Sequence, residues 1–481
     1  MSRIDRNQWE SVIGLEVHVQ LSTNTKMFCG CRWEYGQPPN TLTCPRCLGM
    51  PGALPVPNGK AIEYAIKIGY ALNCNIRTDT TFSRKNYFYP DLPKGYQISQ
   101  FDDPICENGF LEINIEDSIK KIGVTRAHME EDAGKLIHDV GTSSLVDLNR
   151  CGTPLVEIVS EPDMRSAKEA RKYLDRLKQT IQYTGVSDCD MEKGNLRCDA
   201  NVSVRRVGDK KFGIRTEIKN LNSFRFVERA INYEIDRHIA LIEDGGEIDQ
   251  CTMMWDENEG RTYMIRSKEE AHDYRYFPEP DIPPLKISDD LKLKVKNSLG
   301  EMPSEKEKRF VSEYGIKHRD AVILSKEESL ADYFESLSKL STLPQLSCKW
   351  ILSEVLRVLK DEKIGIEDFS ISLDQFSELL KVLNEKKITA LSAKAVFNIM
   401  IESNDSPLKI IDREGFALDQ DMDSLQSVIQ GIVDNNPNEV ERFRNGESKL
   451  MGFFMGLVMR ETKGKADPSD ITKIIAKLLK K

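Results

Sequence analysis

Much of what nucleotide-using and membrane proteins carry is missing from these 481 residues. No Gly-x4-Gly-Lys-Ser/Thr occurs, so any nucleotide is held without a P-loop. No Gly-x-Gly-x-x-Gly opens a helix, which disfavours a Rossmann cofactor. There is no glycine–serine-rich stretch of the kind that carries an amidase Ser–Ser–Lys, and no cysteine-nucleophile motif of a glutaminase. A reaction that consumed ammonia here would need another polypeptide to release it. The strongest apolar run, Met451 to Met459, reaches about half the length of a bilayer span. The opening Met1-Ser2-Arg3-Ile4-Asp5-Arg6 is charged and has no apolar stretch, so no export signal is expected. These absences predict a cytoplasmic protein with no membrane contact. Positive charge is also short: 68 Lys and Arg stand against 77 Asp and Glu, a net −9. That argues against a protein that coats nucleic acid electrostatically. Eleven cysteines without an export signal are not expected to form disulfides.

What is present begins with Ile13-Gly-Leu-Glu-Val-His-Val-Gln-Leu21. Every odd position is apolar and every even one Gly or polar, the mark of a strand with one buried face. Such a strand sets Glu16 and His18 side by side on its other face. Together they make half of a metal site or, equally, a solvated Glu–His pair. Arg197 to Arg205 alternates in the same way, with a polar face of Arg197, Asp199, Asn201, Ser203 and Arg205, and residues 155–159 read as another short strand. Helical stretches intervene at 165–183 and 223–243. Fifteen of the twenty prolines occur by residue 284. Beyond about residue 290 the spacing turns helical, near 303–314, 326–340, 344–361, 373–385 and 391–402. A Ser-Asn-Asp-Ser-Pro break at 403–407 suggests a further boundary, and Asp467 and Pro468 start a final helix striped with Ile471, Ile474, Ile475, Leu478 and Leu479. The fold class expected is α+β multidomain: a mixed α/β domain, then all-helical parts.

Two clusters carry chemistry. Cys29, Cys31, Cys44 and Cys47 pair closely at both ends of a short loop, a spacing that suits tetrahedral thiolate coordination of structural zinc. Pro45 and Gly49 would tighten the turn and let backbone N–H groups approach the sulfurs. Four unmetallated thiols are the alternative. The second cluster is acidic: His128-Met129-Glu130-Glu131-Asp132 follows a β-like run, and Glu157 sits inside an apolar strand, where a carboxylate must be paired or bind a cation. An exposed turn at 130–132 and a buried pair between Glu157 and Arg150 are the plainer readings. The last 31 residues carry seven Lys/Arg against three acids, which fits a solvated helix face.

Longer strings go further. Val12 to Leu21, Arg84 to Asp91, Gly95 to Phe101, His128 to Lys135, Leu145 to Arg150, Gly152 to Asp163, Asp273 to Asp281 and Lys463 to Pro468 resemble the B subunits of the aspartyl/glutamyl-tRNA amidotransferases, almost from end to end. The resemblance implies a cradle-like catalytic domain over residues 1–292, a helical domain over 293–403 and a tRNA-binding tail over 404–481. It implies that ATP phosphorylates the side-chain carboxylate of Glu-tRNA(Gln) or Asp-tRNA(Asn). Ammonia from the amidase (A) partner then displaces phosphate, and a small third (C) partner braces the assembly. It implies Mg2+ at Glu16, His18, Glu131 and Glu157, structural Zn2+ at the four cysteines, phosphate or carboxylate contacts at Arg84, Lys85, Lys94, Arg150 and Lys219, and tRNA contacts at Lys463 and Lys465. One imidazole among carboxylates is unusual for Mg2+, which prefers oxygen. A zinc-bearing RNA adaptor without catalysis, or a scaffold whose partner does the chemistry, would be the competing classes.

Overall fold

In the computed structural model, alternation builds a nine-stranded sheet. The structure describes residues 5–116, 118–140, 143–267, 273–418, 422–462 and 466–479. The strands are β1 (Trp9–Gln20), β2 (Asn75–Ile76), β3 (Asp79–Thr80), β4 (Ser83–Asn86), β5 (Tyr96–Ser99), β6 (Cys106–Ile115), β7 (Ser118–Glu131), β8 (Lys135–Val140), β9 (Ser143–Asp147), β10 (Pro154–Ser160), β11 (Leu196–Arg206), β12 (Thr216–Lys219), β13 (Cys251–Asp256), β14 (Arg261–Ser267), β15 (Phe277–Pro278) and β16 (Leu285–Lys286). The large sheet runs β14-β13-β12-β11-β1-β10-β7-β6-β2, so β1 lies at its centre. It is antiparallel except where β12 meets β13.

One face of the sheet is apolar. Ile13, Leu15, Val17 and Val19 are each at most 1% exposed, and each such burial stabilises the fold by about 1.5–3 kcal/mol. They share a core with helices α1 (Gly59–Ala71), α2 (Ala167–Tyr183) and α3 (Phe224–Glu243). Leu174, Leu177 and Ile181 on α2 and Ala230 and Ile231 on α3 supply the facing stripes. Serine starts both helices: the Ser166 hydroxyl accepts from Glu169 N, and the Ser223 hydroxyl from Phe226 N. With helices on one face, the polar residues of β1, β10 and β11 share the other. A three-stranded sheet, β15-β4-β5, carries the residues just before β15 toward that side.

By packing, the chain divides into Met1–Ser304 and Glu305–Lys481. The division leaves α4 (Asp289–Asn297), whose Val295 is buried in the first core, on the N-terminal side. The second unit is helical. One of its cores runs from Phe310 to Ile411 and includes Ile410 and Ile411 of the helix Pro407–Glu414. Another gathers Leu425, Ile429, Phe454, Val458, Ile471, Ile475 and Leu479. The mixed α/β part followed by helices is thus observed. Among the described residues, no helix is long and apolar enough to cross a membrane.

Candidate active site and thiolate centre

Antiparallel register brings the acidic cluster together. His18 on β1 lies opposite both Glu157 on β10 and Arg197 on β11, and Glu157 in turn lies opposite His128 on β7. Opposed residues in an antiparallel pair share a face. His18 Nε2 stands 3.4 Å from Glu130 Oε1 and 3.4 Å from Glu157 Oε2, and His128 Nε2 is 3.5 Å from the same Glu157 oxygen. One donor atom from each of His18, Glu130 and Glu157 falls within 4.8 Å of the other two. Glu16 lies one step along β1, opposite Asp199, with its Oε1 accepting from Asn201 Nδ2 at 2.9 Å.

Burial and mutual charge set the protonation of this group. Burial first, then the neighbouring charge of Glu157, raises the Glu16 carboxyl above its ordinary value. Burial lifts Glu130 to about 7, with Glu157 adding to the rise against the pull of His18. Burial works against charge on His18, yet Glu157 and Glu130 hold its pKa up to about 9. Burial lowers His128 to about 4, which leaves that ring neutral. Glu157 is also penalised by burial, but His128 and His18 outweigh it and keep the carboxyl well below the ordinary range. His18 therefore serves as the counter-charge that two buried carboxylates share. A divalent cation fits the same donor set, because it would neutralise both acids and displace that proton.

Glu131, which the resemblance placed with these residues, lies elsewhere. Side chains alternate along β7, so His128 and Glu130 point one way and Glu131 the other. There Glu131 Oε1 pairs with Lys94 Nζ, accepts from Ile98 N at 3.1 Å, and lies 4.0 Å from Arg46. The alternative of an exposed turn at 130–132 does not hold: the strand runs through Glu131, and Glu130, Glu131 and Asp132 are 3%, 2% and 6% exposed.

The five basic residues divide as well. Arg84 grips Glu279 with two bonds of 2.8 Å, reaches Asp281 at 3.0 Å, and stacks 4.1 Å over Tyr96, so it fastens β15 to β4. Lys219 is shared by Asp199 at 2.7 Å and Glu217 at 2.9 Å. Arg150 does not meet Glu157; it donates to the Ala133 and Gly134 carbonyls and lies 3.5 Å from Asp132. Lys94 belongs to Glu131. Among the described residues Lys85 has no ion pair. Burial disfavours its charge, but Glu130, Tyr276, Tyr274 and Glu157 more than compensate. It sits 4.9 Å from the Tyr274 ring and 6.0 Å from that of Tyr87. Lys463 and Lys465 lie outside the described residues.

Arg197 escaped the sequence reading as a site residue. Its guanidinium is held by Asp132 at 2.9 Å, and its Nε is buried without a partner. It lines a cavity of about 730 Å³ that also takes in Trp33, Asn149, Arg150, Asp199 and Asn222.

The four cysteines converge independently. Their sulfurs all lie within 4.8 Å of one another, with Cys29–Cys47 at 3.7 Å and Cys44–Cys47 at 3.8 Å. A tetrahedron with Zn–S bonds of about 2.3 Å has edges of about 3.8 Å, whereas a disulfide needs about 2.05 Å. The donors therefore fit a closed tetrathiolate zinc site. Hydrogen bonding with Cys29 and, against burial, the nearby Lys26 lower Cys47 to about 4, while burial and Cys44 push Cys31 up to about 11. Gly49 has φ +67°, and a Cβ there would meet the Pro93 and Lys94 backbone at 3.0 Å. Its N–H goes to the Arg46 carbonyl at 3.2 Å, so it shapes the knuckle without itself serving a sulfur.

Comparison with known proteins shows which family the chain resembles. A family model described as the GatB/GatE catalytic domain matches residues 11–292, and one described as the GatB domain matches residues 332–479. The aspartyl/glutamyl-tRNA(Asn/Gln) amidotransferase B subunit of Thermodesulfovibrio yellowstonii is 51% identical over 98% of this chain and 100% of its own length. That of Geotalea daltonii is 51% identical over 98% and 99%, and that of Carboxydothermus hydrogenoformans 48% over 98% and 99%. The chain belongs to the family of aspartyl/glutamyl-tRNA amidotransferase B subunits.

Proposed function

We propose that this chain is the carboxylate-activating component of a cytoplasmic, glutamine-dependent tRNA amidotransferase. A side-chain carboxylate oxygen of Glu-tRNA(Gln) or Asp-tRNA(Asn) attacks the γ-phosphorus of ATP, and ADP leaves. Ammonia then attacks the acyl phosphate, loses a proton and expels phosphate, which leaves the amide. The amidase partner supplies the ammonia, the small third partner braces the assembly, and the tail, with Lys463 and Lys465, contacts the tRNA. The observation that carries this reading is the meeting of His18, Glu130 and Glu157 on one sheet face beside Lys85.

His18, Glu130 and Glu157 would hold the Mg2+, with Glu16 next to them. Bound there, the ion would screen the charge of the phosphates. The chain's own groups prepare the remaining field. Lys85 presents an ammonium toward the same carboxylates. Its aromatic neighbours limit its motion and favour its charge. Arg197, aimed by Asp132, adds a second cation where the cavity meets the His18–Glu157 row. Both attract anionic oxygens by electrostatics, the main source of catalysis in phosphoryl transfer. The thiolate centre would hold Zn2+ and has no open position for water, so its role is structural.

The test is ADP release by the assembled amidotransferase supplied with Glu-tRNA. Glu157→Gln abolishes release and amidation on this reading. Undiminished release and amidation would leave the group as a structural ion pair.

A further inference from the structure

A tetrathiolate zinc centre carries two net negative charges, which burial makes costly. Lys26 addresses that cost. It is fully buried. Its Nζ donates to the Leu42 carbonyl at 2.8 Å, to the Cys47 sulfur at 3.4 Å and to the Leu148 carbonyl at 3.5 Å. A buried ammonium requires an anion. Among the described residues no carboxylate pairs with Lys26. The nearby carboxylate of Glu131 is taken by Lys94. The acceptor left for Lys26, besides the two carbonyls, is the Cys47 sulfur, 3.4 Å away.

We propose that Lys26 is the built-in counter-cation of the Cys29–Cys31–Cys44–Cys47 metal centre, and that it pins this centre to the Leu148 segment. The proposal rests on the structural-zinc reading and adds a residue to it. Two carbonyls, one from the cysteine loop and one from the segment leading into Asn149 and Arg150, fix the ammonium. One point charge thus lowers the net charge of the centre and joins it to the wall of the cavity. Lysine offers three donors for these three acceptors.

The experiment uses the full chain in its assembly. Zinc content is measured first. Affinity and release rate then come from competition with a chromophoric chelator, and thiolate-to-metal absorption from Co2+ substitution. Lys26→Met removes the charge and the donors. Lys26→Gln removes the charge and keeps N–H donors on a side chain one atom shorter, so it decides the matter if the first variant does not fold. Wild type should hold one zinc, and Lys26→Gln should bind it at least tenfold more weakly, release it faster and shift the Co2+ charge-transfer band. Equal affinity, release and spectrum in wild type and Lys26→Gln would overturn the counter-cation and leave the zinc site standing. A wild-type protein with no zinc and no thiolate–Co2+ absorption would overturn both.

Discussion

Two clusters in the N-terminal unit are made of the same residue types and resolve their charges in opposite ways. Glu234, on α3, is fully buried beside His238. Arg237 donates to it at 2.9 and 2.8 Å, Thr216 at 2.9 Å, and Thr262 donates as well. Burial pushes its carboxyl up, but His238, Arg237 and Thr262 win and lower it to about 2. Among the described residues, no arginine, lysine or hydroxyl donates to Glu130 or Glu157, which share His18 instead. A buried acid whose lone pairs the protein fills is part of the core. Buried acids left to share one proton mark a place prepared for a cation.

That contrast can be broken most decisively at Glu157. Glu157→Gln keeps the side chain's shape and removes its charge. Amidation of Glu-tRNA should fall by about a thousandfold, while circular dichroism and thermal unfolding remain near wild type. A large loss of stability instead would move Glu157 into the same class as Glu234. Glu234→Gln should do the reverse: chemical denaturation should show a loss of about 3 kcal/mol, with turnover per folded molecule unchanged.

The same pair differs in its response to acid. The folded Glu234 carboxyl, at about 2, lies below its ordinary value of 4.5, so its contribution is complete above the unfolded value. It is lost as pH falls from there through the folded value, about 3 kcal/mol in all. Urea midpoints between pH 6 and pH 2.5 should therefore converge for wild type and Glu234→Gln as the solution is acidified. A constant difference would show that Glu234 acts by packing rather than charge. The smallest change in stability is expected at Glu130. Glu130→Gln should remove amidation yet leave metal-free stability unchanged, or raise it by up to about 1 kcal/mol, because it relieves repulsion with Glu157. Glu131→Gln, by stranding Lys94, should lower stability.

The alternation in residues 13–21 was enough to place Glu16 and His18 on the face away from the core, and the cysteine spacing was enough to suggest a knuckle. Glu130 was legible by the same rule. Counting by twos from His128 along a strand reaches Glu130 and passes over Glu131, whereas the family resemblance pointed to Glu131. Arg197 was visible on a polar strand face, yet its place beside His18 depends on the register between β1 and β11, which sequence spacing does not supply. The same holds for Tyr87 and Tyr274, whose rings lie 6.0 Å apart although the residues are far apart along the chain. Nothing in the spacing of the strings Arg84 to Asp91 and Asp273 to Asp281 connects them. The helices beyond residue 300 were legible because their apolar spacing is long and regular, as in Pro303–Tyr314 and Leu373–Asn384.

Divalent-cation binding tests the central claim most directly, with Mn2+ as a paramagnetic probe of the purified assembly. The account predicts one site whose electron paramagnetic resonance signal is lost in both His18→Ala and Glu157→Gln and kept in Glu234→Gln. Unchanged Mn2+ binding in the first two variants would contradict it.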